Sequence, residues 1–293
     1  MAFDFRYEVE SFLLENMIAY HAQDNCILVP SHNITLSLVE VGQKVLNMTE
    51  NSTVTHLSYT DTLYDADNHK FFVIYEDLWF AKGDIIRNRL LANFGLGAKI
   101  FARKCLVGKI DAERSKLFLE ANHLIGDARS VFRYGLFNGK ELVSVATFSA
   151  SRPMERQGRV VRSFEWVRYA NKTSLRVVGG MGRLLERFME DHLPDEVMSY
   201  ADKEWSTGDV YRRLGFEQIG ETPPVEFFVD METYERIPVK KLLKDRKYRN
   251  YEISLSESRH DLSNQGIISL SGKQYALLLN LGNFKFLRSC SFR

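Results

Sequence analysis

Hydrophobic and polar positions alternate most regularly between Ser130 and Ser151. There SVFRYGLFNGKELVSVATFSAS reads as two strands flanking Asn138-Gly139, a pair suited to the left-handed conformations of a type I′ hairpin. Short apolar runs predict further strands at CILVP (26–30), NITLSLVEV (33–41), FFVIYED (71–77), SFEWVRYA (163–170) and EFFVD (226–230), with Pro30-Ser31-His32 as the turn between the first two. Helical spacing of Val9, Phe12, Leu13 and Ile18 predicts a helix over Tyr7–Tyr20. DLWFAKGDIIRNRLLANFGLG reads as a strand end, a turn and a helix stopped by Gly95 and Gly97. Further helices are expected over 111–125 and Gly182–Asp191, and a short strand and helix carry Asp202 and Tyr211. KIFARKCLV (99–107) reads as a linking strand, and KQYALLLNLGNFKFL (273–287) as a hairpin turning at Leu281-Gly282-Asn283.

This pattern divides the chain into an expected domain over 1–100, a second over 101–235, and a basic segment with a C-terminal hairpin over 236–293 packed on the second. With 293 residues, 45% of them hydrophobic, the chain can bury more than one core. Lys and Arg total 39 against 38 Asp and Glu, so overall charge selects no partner and any nucleic-acid surface must be local. Cys26, Cys105 and Cys290 are far apart and lack metal-ligand spacing, which suits a reducing compartment. No apolar run approaches the ~20 residues of a membrane span, and the acidic start MAFDFRYEVE is unlike a signal peptide. The expectation is a soluble cytoplasmic protein.

Candidate chemistry concentrates between Arg176 and Phe216. Arg176-Val177-Val178-Gly179-Gly180-Met181-Gly182 follows a strand and opens a helix. The first backbone N–H groups of a helix have no intrahelical partner, and the helix dipole favours an anion there. Glycines at such a start admit a phosphate close to the main chain, or else serve close helix–strand packing. The segment resembles the GNAT superfamily of acyltransferases, in which Arg/Gln-x-x-Gly-x-Gly/Ala holds the CoA pyrophosphate. The chain matches at Arg176 and Gly179 and carries Met181 where a small residue stands in the family; a register one residue later matches Gly180 and Gly182 without the Arg. The resemblance implies acetyl-CoA or another acyl-CoA as cofactor, held by Arg176, Gly179, Gly180 and Gly182.

Gly208-Asp209-Val210-Tyr211-Arg212-Arg213-Leu214-Gly215-Phe216 resembles the fourth-helix signature of the same superfamily, in which a Tyr four residues before Gly-Phe protonates the leaving thiolate. By that resemblance Tyr211 is the general acid; on its own it reads equally as a helix tyrosine packed on the sheet. Tyr200-Ala201-Asp202 followed by Trp205-Ser206 resembles a phage-associated branch of GNAT-like domains that includes the Mom DNA-modification protein of phage Mu. The resemblance gives Asp202 a role in orienting or deprotonating the nucleophile, against that of a strand-end cap. Asn122-His123-Leu124-Ile125-Gly126 matches the same branch and makes His123 a base, a metal ligand, or a helix-end histidine facing the dipole. No second His lies near it in sequence, so no metal is expected.

From Ile27 to Ile110 the pieces LVPSHNITL, THLSY, FFVIYEDLW, DIIRNRLLANFG and KIFARKC resemble the Vsr-like (PD-(D/E)xK-related) nuclease domain of phage homing endonucleases. Such domains hold Mg²⁺ with acidic residues on adjacent strands. The resemblance places Cys26 and Ser37 at those positions, with His56 and the Glu76-Asp77 pair retained, so this half is expected to be a degenerate nuclease fold. The fold class is therefore α/β (α+β): a small Vsr-like nuclease-fold domain followed by a GNAT-like mixed-sheet acyltransferase domain.

The span 236–249 gathers Lys240, Lys241, Lys244, Arg246, Lys247 and Arg249 around Tyr248, a surface suited to phosphates or simply a solvated face. With the nuclease-like half it makes DNA, or RNA, the expected partner, reached by base flipping if an exocyclic amine is the acceptor. Three functions are expected in order: an acyltransferase acting on DNA or a modified base; a homing-endonuclease relative that cleaves DNA; and a non-enzymatic DNA-binding protein with two inactive scaffolds.

Overall fold

The computed structural model describes residues 4–42, 69–244, 267–270 and 273–290. In chain order these form α1 (Phe5–Glu15), β1 (His21–Gln23), β2 (Cys26–Val29), β3 (Ile34–Val39), β4 (Lys70–Tyr75), α2 (Glu76–Ala81), α3 (Gly83–Asn93), β5 (Ala98–Phe101), β6 (Leu106–Lys109) and α4 (Ala112–Asn122). There follow β7 (Phe132–Asn138), β8 (Glu141–Phe148), β9 (Arg152–Arg156), β10 (Arg159–Asn171), β11 (Leu175–Val178), α5 (Gly180–His192), β12 (Glu196–Asp202), α6 (Asp209–Arg213) and β13 (Glu217–Glu221). The last elements are β14 (Glu226–Asp230), β15 (Arg236–Pro238), α7 (Val239–Lys244), β16 (Ile267–Leu270), β17 (Lys273–Leu279) and β18 (Asn283–Ser289). The fold is mixed α+β with several sheets. Among the described residues no helix is long and apolar enough to cross a membrane.

Two compact units share the chain. One comprises 1–83, 202–207 and 223–282; the other comprises 84–201, 208–222 and 283–293. The polypeptide passes between them several times, so neither is one continuous stretch.

The first unit has two four-stranded sheets, ordered β1-β2-β3-β4 and β15-β14-β17-β16. Asp4 caps α1 by accepting from the N–H groups of Arg6 and Tyr7, and the helix buries Phe5, Val9, Phe12 and Leu13. The antiparallel pair β2/β3 turns through a 3₁₀ turn at Pro30–His32, with Asn33 in the left-handed region. β3 then pairs parallel with β4. Phe71, Val73 and Tyr75 of β4 pack with Val229 of β14 and Leu278 of β17. A buried polar network lies beside this core. Arg236 forms a two-pronged ion pair with the fully buried Asp77, one contact at 2.9 Å, and covers the Tyr75 ring. Tyr75 donates to Glu204 at 2.8 Å. Burial first, then the neighbouring Asp202, pushes the Glu204 carboxyl above its usual range.

The second unit is built on the sheet β13-β18-β12-β10-β8-β7-β6, with β9 paired to the edge of β10 and a separate parallel ribbon β5/β11. One face of this sheet buries α5. Leu184, Leu185 and Phe188 of that helix are fully buried, and the Phe188 ring lies flat on Phe148, with centroids 3.8 Å apart. α5 ends where Leu193 adopts the left-handed conformation before Pro194. The other face carries α4, whose Leu119 packs on Val145 and Ala170.

Several expectations need correction. The β7/β8 hairpin pairs Asn138 with Glu141 and turns at Gly139-Lys140. Only Gly139 has positive φ there (60°), whereas a type I′ turn needs two such residues. The expected strand end after Glu76 is the helix α2. The linking strand 99–107 is two strands in different sheets, separated by a 3₁₀ turn at Ala102–Lys104. The expected hairpin at 273–287 does not form: β17 pairs with β14 and β16, and β18 with β13. Gly282 carries the chain at φ 75° from one unit to the other instead of closing a turn. His56 lies outside the described residues.

Candidate functional site

The feature that organises the second unit's site is a separation of two parallel strands. β10 and β12 pair from Ser163↔Glu196 to Trp166↔Ser199 and no further, although β10 runs on to Asn171 and β12 to Asp202. β10 shifts register against β8 between Trp166 and Arg168, a bulge at the point of separation. Beyond it, one backbone edge of β10 bonds β8, and among the described residues no strand pairs with the other. Such an edge presents main-chain donors and acceptors to an extended, amide-bearing ligand.

Tyr211 stands at this opening. Gly208, with φ 83°, starts α6, and the short helix lays the Tyr211 ring flat on Phe286, centroids 4.9 Å apart and planes 11° apart. The phenol lies 3.3 Å from Ser199 Oγ, which itself donates to the carbonyl of Trp166 at 3.1 Å, and 3.4 Å from the carbonyl of Tyr200. Burial pushes the Tyr211 pKa up, opposed by the Ser199 hydrogen bond. The group is thus protonated at neutral pH, the form a general acid requires.

The start of α5 closes the same space. No side chain caps it, no acidic residue occupies its first turn, and Gly179 holds φ 77°. The glycines there have separate causes. A Cβ at Gly180 would lie 2.5 Å from Tyr169 Oη, and one at Gly182 would lie 3.2 Å from Leu214 of α6. β10 and α6 therefore both converge on the first turn of α5. Tyr169, whose pKa burial pushes up to about 12, donates to Asn171 Oδ1 at 2.6 Å. Arg176 lies on β11, exposed, and also lines a cleft of about 230 Å³ with Arg89, Asn122 and Lys172.

The structure thus brings Tyr211, Gly180 and Gly182 together around the strand opening, with Gly179 and Arg176 leading into the helix. Asp202 falls in the first unit, where its carboxylate accepts the N–H of Glu204 at 2.9 Å and shapes the turn after β12. His123 is the C-terminal cap of α4. Its Nδ1 accepts the N–H of Ile125 at 3.3 Å, which leaves the ring proton on Nε2. Burial, then the cations Arg89 and Arg168, lower its pKa to about 3, so the ring is neutral and offers a donor, not a base, to its surroundings. Among the described residues no group of three or more His, Cys, Asp or Glu is placed to hold a metal ion. Lys240 and Lys241 are exposed on α7, and Lys244 ends that helix. Arg246, Lys247 and Arg249 lie outside the described residues. Two residues missed from the sequence are Ser199 and Tyr169; the one available signal was Ser199 at an inward position of an alternating strand.

No family model matches the chain, and no curated protein matches it. Solved acetyltransferases do show a similarity. A Bacillus subtilis acetyltransferase in complex with CoA is 15% identical, with 64% of this chain and 97% of that chain covered and a TM-score of 0.34. A GNAT family acetyltransferase from Elizabethkingia anophelis with acetyl-CoA bound is 11% identical over 64% and 98%, with a TM-score of 0.32. The chain spans 66% of a histone acetyltransferase HPA2 and related acetyltransferase from Corynebacterium glutamicum, at 13% identity and a TM-score of 0.30, with 55% of this chain covered.

Proposed function

We propose that the second unit is a GNAT-like acyltransferase that takes its acyl group from an acyl-CoA. The observation that carries this reading is the parting of β10 from β12 at Trp166/Ser199, with a protonated phenol at the opening and an uncapped, glycine-lined helix start beside it. A thioester-bearing cofactor supplies the activated acyl group. The free edge of β10 fits the cofactor's amides, and the first N–H groups of α5, with Arg176 and Arg183, fit its pyrophosphate. An amine acceptor would attack the acyl carbon as the carbon–sulfur bond breaks. Tyr211 then gives its proton to the departing sulfur, and the attacking nitrogen loses one proton to water. Ser199 would stabilise the resulting phenolate by turning its one hydroxyl proton from the Trp166 carbonyl to the phenolate oxygen.

The finer reading is a nucleic-acid acceptor, of the kind the Mom-like resemblance implies. What supports it is the resemblance of the sequence pieces between Ile27 and Ile110 to a Vsr-like nuclease, with no carboxylate at the positions where that family holds its metal. Cys26 and Ser37 face each other as cross-strand partners, and neither a thiol nor a hydroxyl holds Mg²⁺ usefully. The first unit is then a scaffold, and any chemistry belongs to the second.

Calorimetric titration with acetyl-CoA tests the reading. Saturable binding of one equivalent is expected; absence of heat at millimolar cofactor removes the assignment.

A further inference from the structure

The parallel ribbon β5/β11 has an inner and an outer face. Ile100, Leu175 and Val177 pack on the core of the second unit. The residues between them point away from it, and the register sets Arg176 opposite Lys99 and Val178 opposite Phe101. All four are exposed, Phe101 to 44%. Like charges placed opposite one another across a ladder destabilise it, and no ion pair among the described residues relieves this one.

The positive charge continues on both sides. Past β5, Arg103 lays its guanidinium over the Phe101 ring, 5.1 Å from the centroid, and Lys104 follows, exposed. Past Arg176 lies the cleft of about 230 Å³, whose lining includes Arg89, Arg176, Asn88 and Asn122 and no carboxylate. A basic track with an exposed aromatic ring at its centre is the arrangement that holds a single strand of nucleic acid: cations follow the phosphates, and the ring or the guanidinium plane stacks a base. The cleft is smaller than the ~300–1,000 Å³ pockets that enclose whole ligands. It suits one residue of a chain better than an entire cofactor.

We propose that the outer face of this ribbon binds single-stranded nucleic acid, with Lys99 and Arg103 on phosphates and Phe101 stacking a base. This surface is distinct from the basic segment 236–249 and does not depend on the transferase reading.

The test is fluorescence anisotropy of a labelled oligothymidylate with the full chain, at several salt concentrations, for wild type, Lys99→Ala/Arg103→Ala and Phe101→Ala. Thermal melts confirm that these exposed substitutions leave the fold intact. The double variant should bind at least tenfold more weakly and flatten the slope of log K against log salt by about 1.4, two contacts at roughly 0.7 each on a single strand. Phe101→Ala should lose roughly tenfold with the slope unchanged. The proposal is overturned if wild type binds no strand, if the variants bind like wild type, or if duplex of equal length is preferred. It also fails if Lys240→Ala/Lys241→Ala removes binding while the ribbon variants do not. A loss of acetyl-CoA affinity with strand affinity unchanged would reassign the ribbon to the cofactor's nucleotide. Failure of acetyl-CoA binding alone would leave this surface standing and remove only the transferase reading.

Discussion

Gly208→Ala tests how the Tyr211 phenol is held. Gly208 adopts φ 83°, and a Cβ there would lie 2.3 Å from Cζ and 3.0 Å from Cε2 of Phe286. Forcing an L-residue into that conformation costs about 1–2 kcal/mol. Phe286 is fully buried and stacked on Tyr211, so its ring cannot swing aside without moving the phenol. Overpacking of such a site adds about 1–3 kcal/mol, for a total loss of about 2–5 kcal/mol. Gly139→Ala is the matched control. Its φ is 60° and a Cβ there meets nothing within 4 Å, so it carries the conformational cost alone. The gain in chain stiffness from replacing glycine by alanine is common to both and cancels. Urea unfolding followed by tryptophan fluorescence gives both losses, and Gly208→Ala should exceed Gly139→Ala by about 1–3 kcal/mol. Equal losses would refute the claim that Phe286 packs rigidly between Gly208 and Tyr211.

Other substitutions probe the remaining parts. Tyr211→Phe should lower the rate of thiol release from acetyl-CoA by about 10²–10⁴ while leaving cofactor affinity within about twofold, since Ser199 keeps its bond to Trp166; an unchanged rate would remove Tyr211 as the general acid. His123 has a folded pKa of about 3, against roughly 6.5 in an unfolded chain. As pH falls below 6.5 the unfolded state takes up a proton that the folded state refuses, so stability is lost down to about pH 3, at no more than ~1.4 kcal/mol per pH unit. His123→Gln should flatten that limb of the urea-stability profile. Arg236→Ala leaves the fully buried Asp77 without its cation and should cost about 3–5 kcal/mol. The pair Asp77→Asn/Arg236→Met should cost much less in the same unfolding assay, because no buried charge remains.

The elements that sequence made legible are those whose reasons are local. Alternation in 130–151 marked β7 and β8, and the Gly-rich start at Gly179–Gly182 marked the helix α5 that follows it. The hairpin β9/β10 was missed because β9 is exposed along almost its whole length, so Arg152–Arg156 shows no alternation. Its turn at Gln157-Gly158, with φ 49° and 74°, was the available clue. The Leu281-Gly282-Asn283 turn misled because strand pairing there is decided by distant partners: β17 finds Phe227 and Phe228, and β18 finds Glu217 and Gln218. The site divides the same way. Tyr211 and the glycines were singled out by the family resemblance of one short segment. Ser199 and Tyr169 were not, since their roles depend on where β12 leaves β10 and on which helix start Tyr169 meets. The turn role of Asp202 rests on one N–H two residues on, and the sequence offered it only as one of two readings.

The most direct measurement pairs affinity with stability in Arg183→Glu. Arg183 is exposed in the first turn of α5, where a carboxylate suits the helix dipole and should leave the fold unchanged or stabilise it by about 0.3–1 kcal/mol. The same carboxylate would repel a pyrophosphate at that helix start. Calorimetry should show acetyl-CoA binding weakened by about tenfold or more, with unfolding stability intact. Undiminished affinity in a stably folded Arg183→Glu protein would contradict the placement of the cofactor at α5, and with it the acyl-transfer account of this unit.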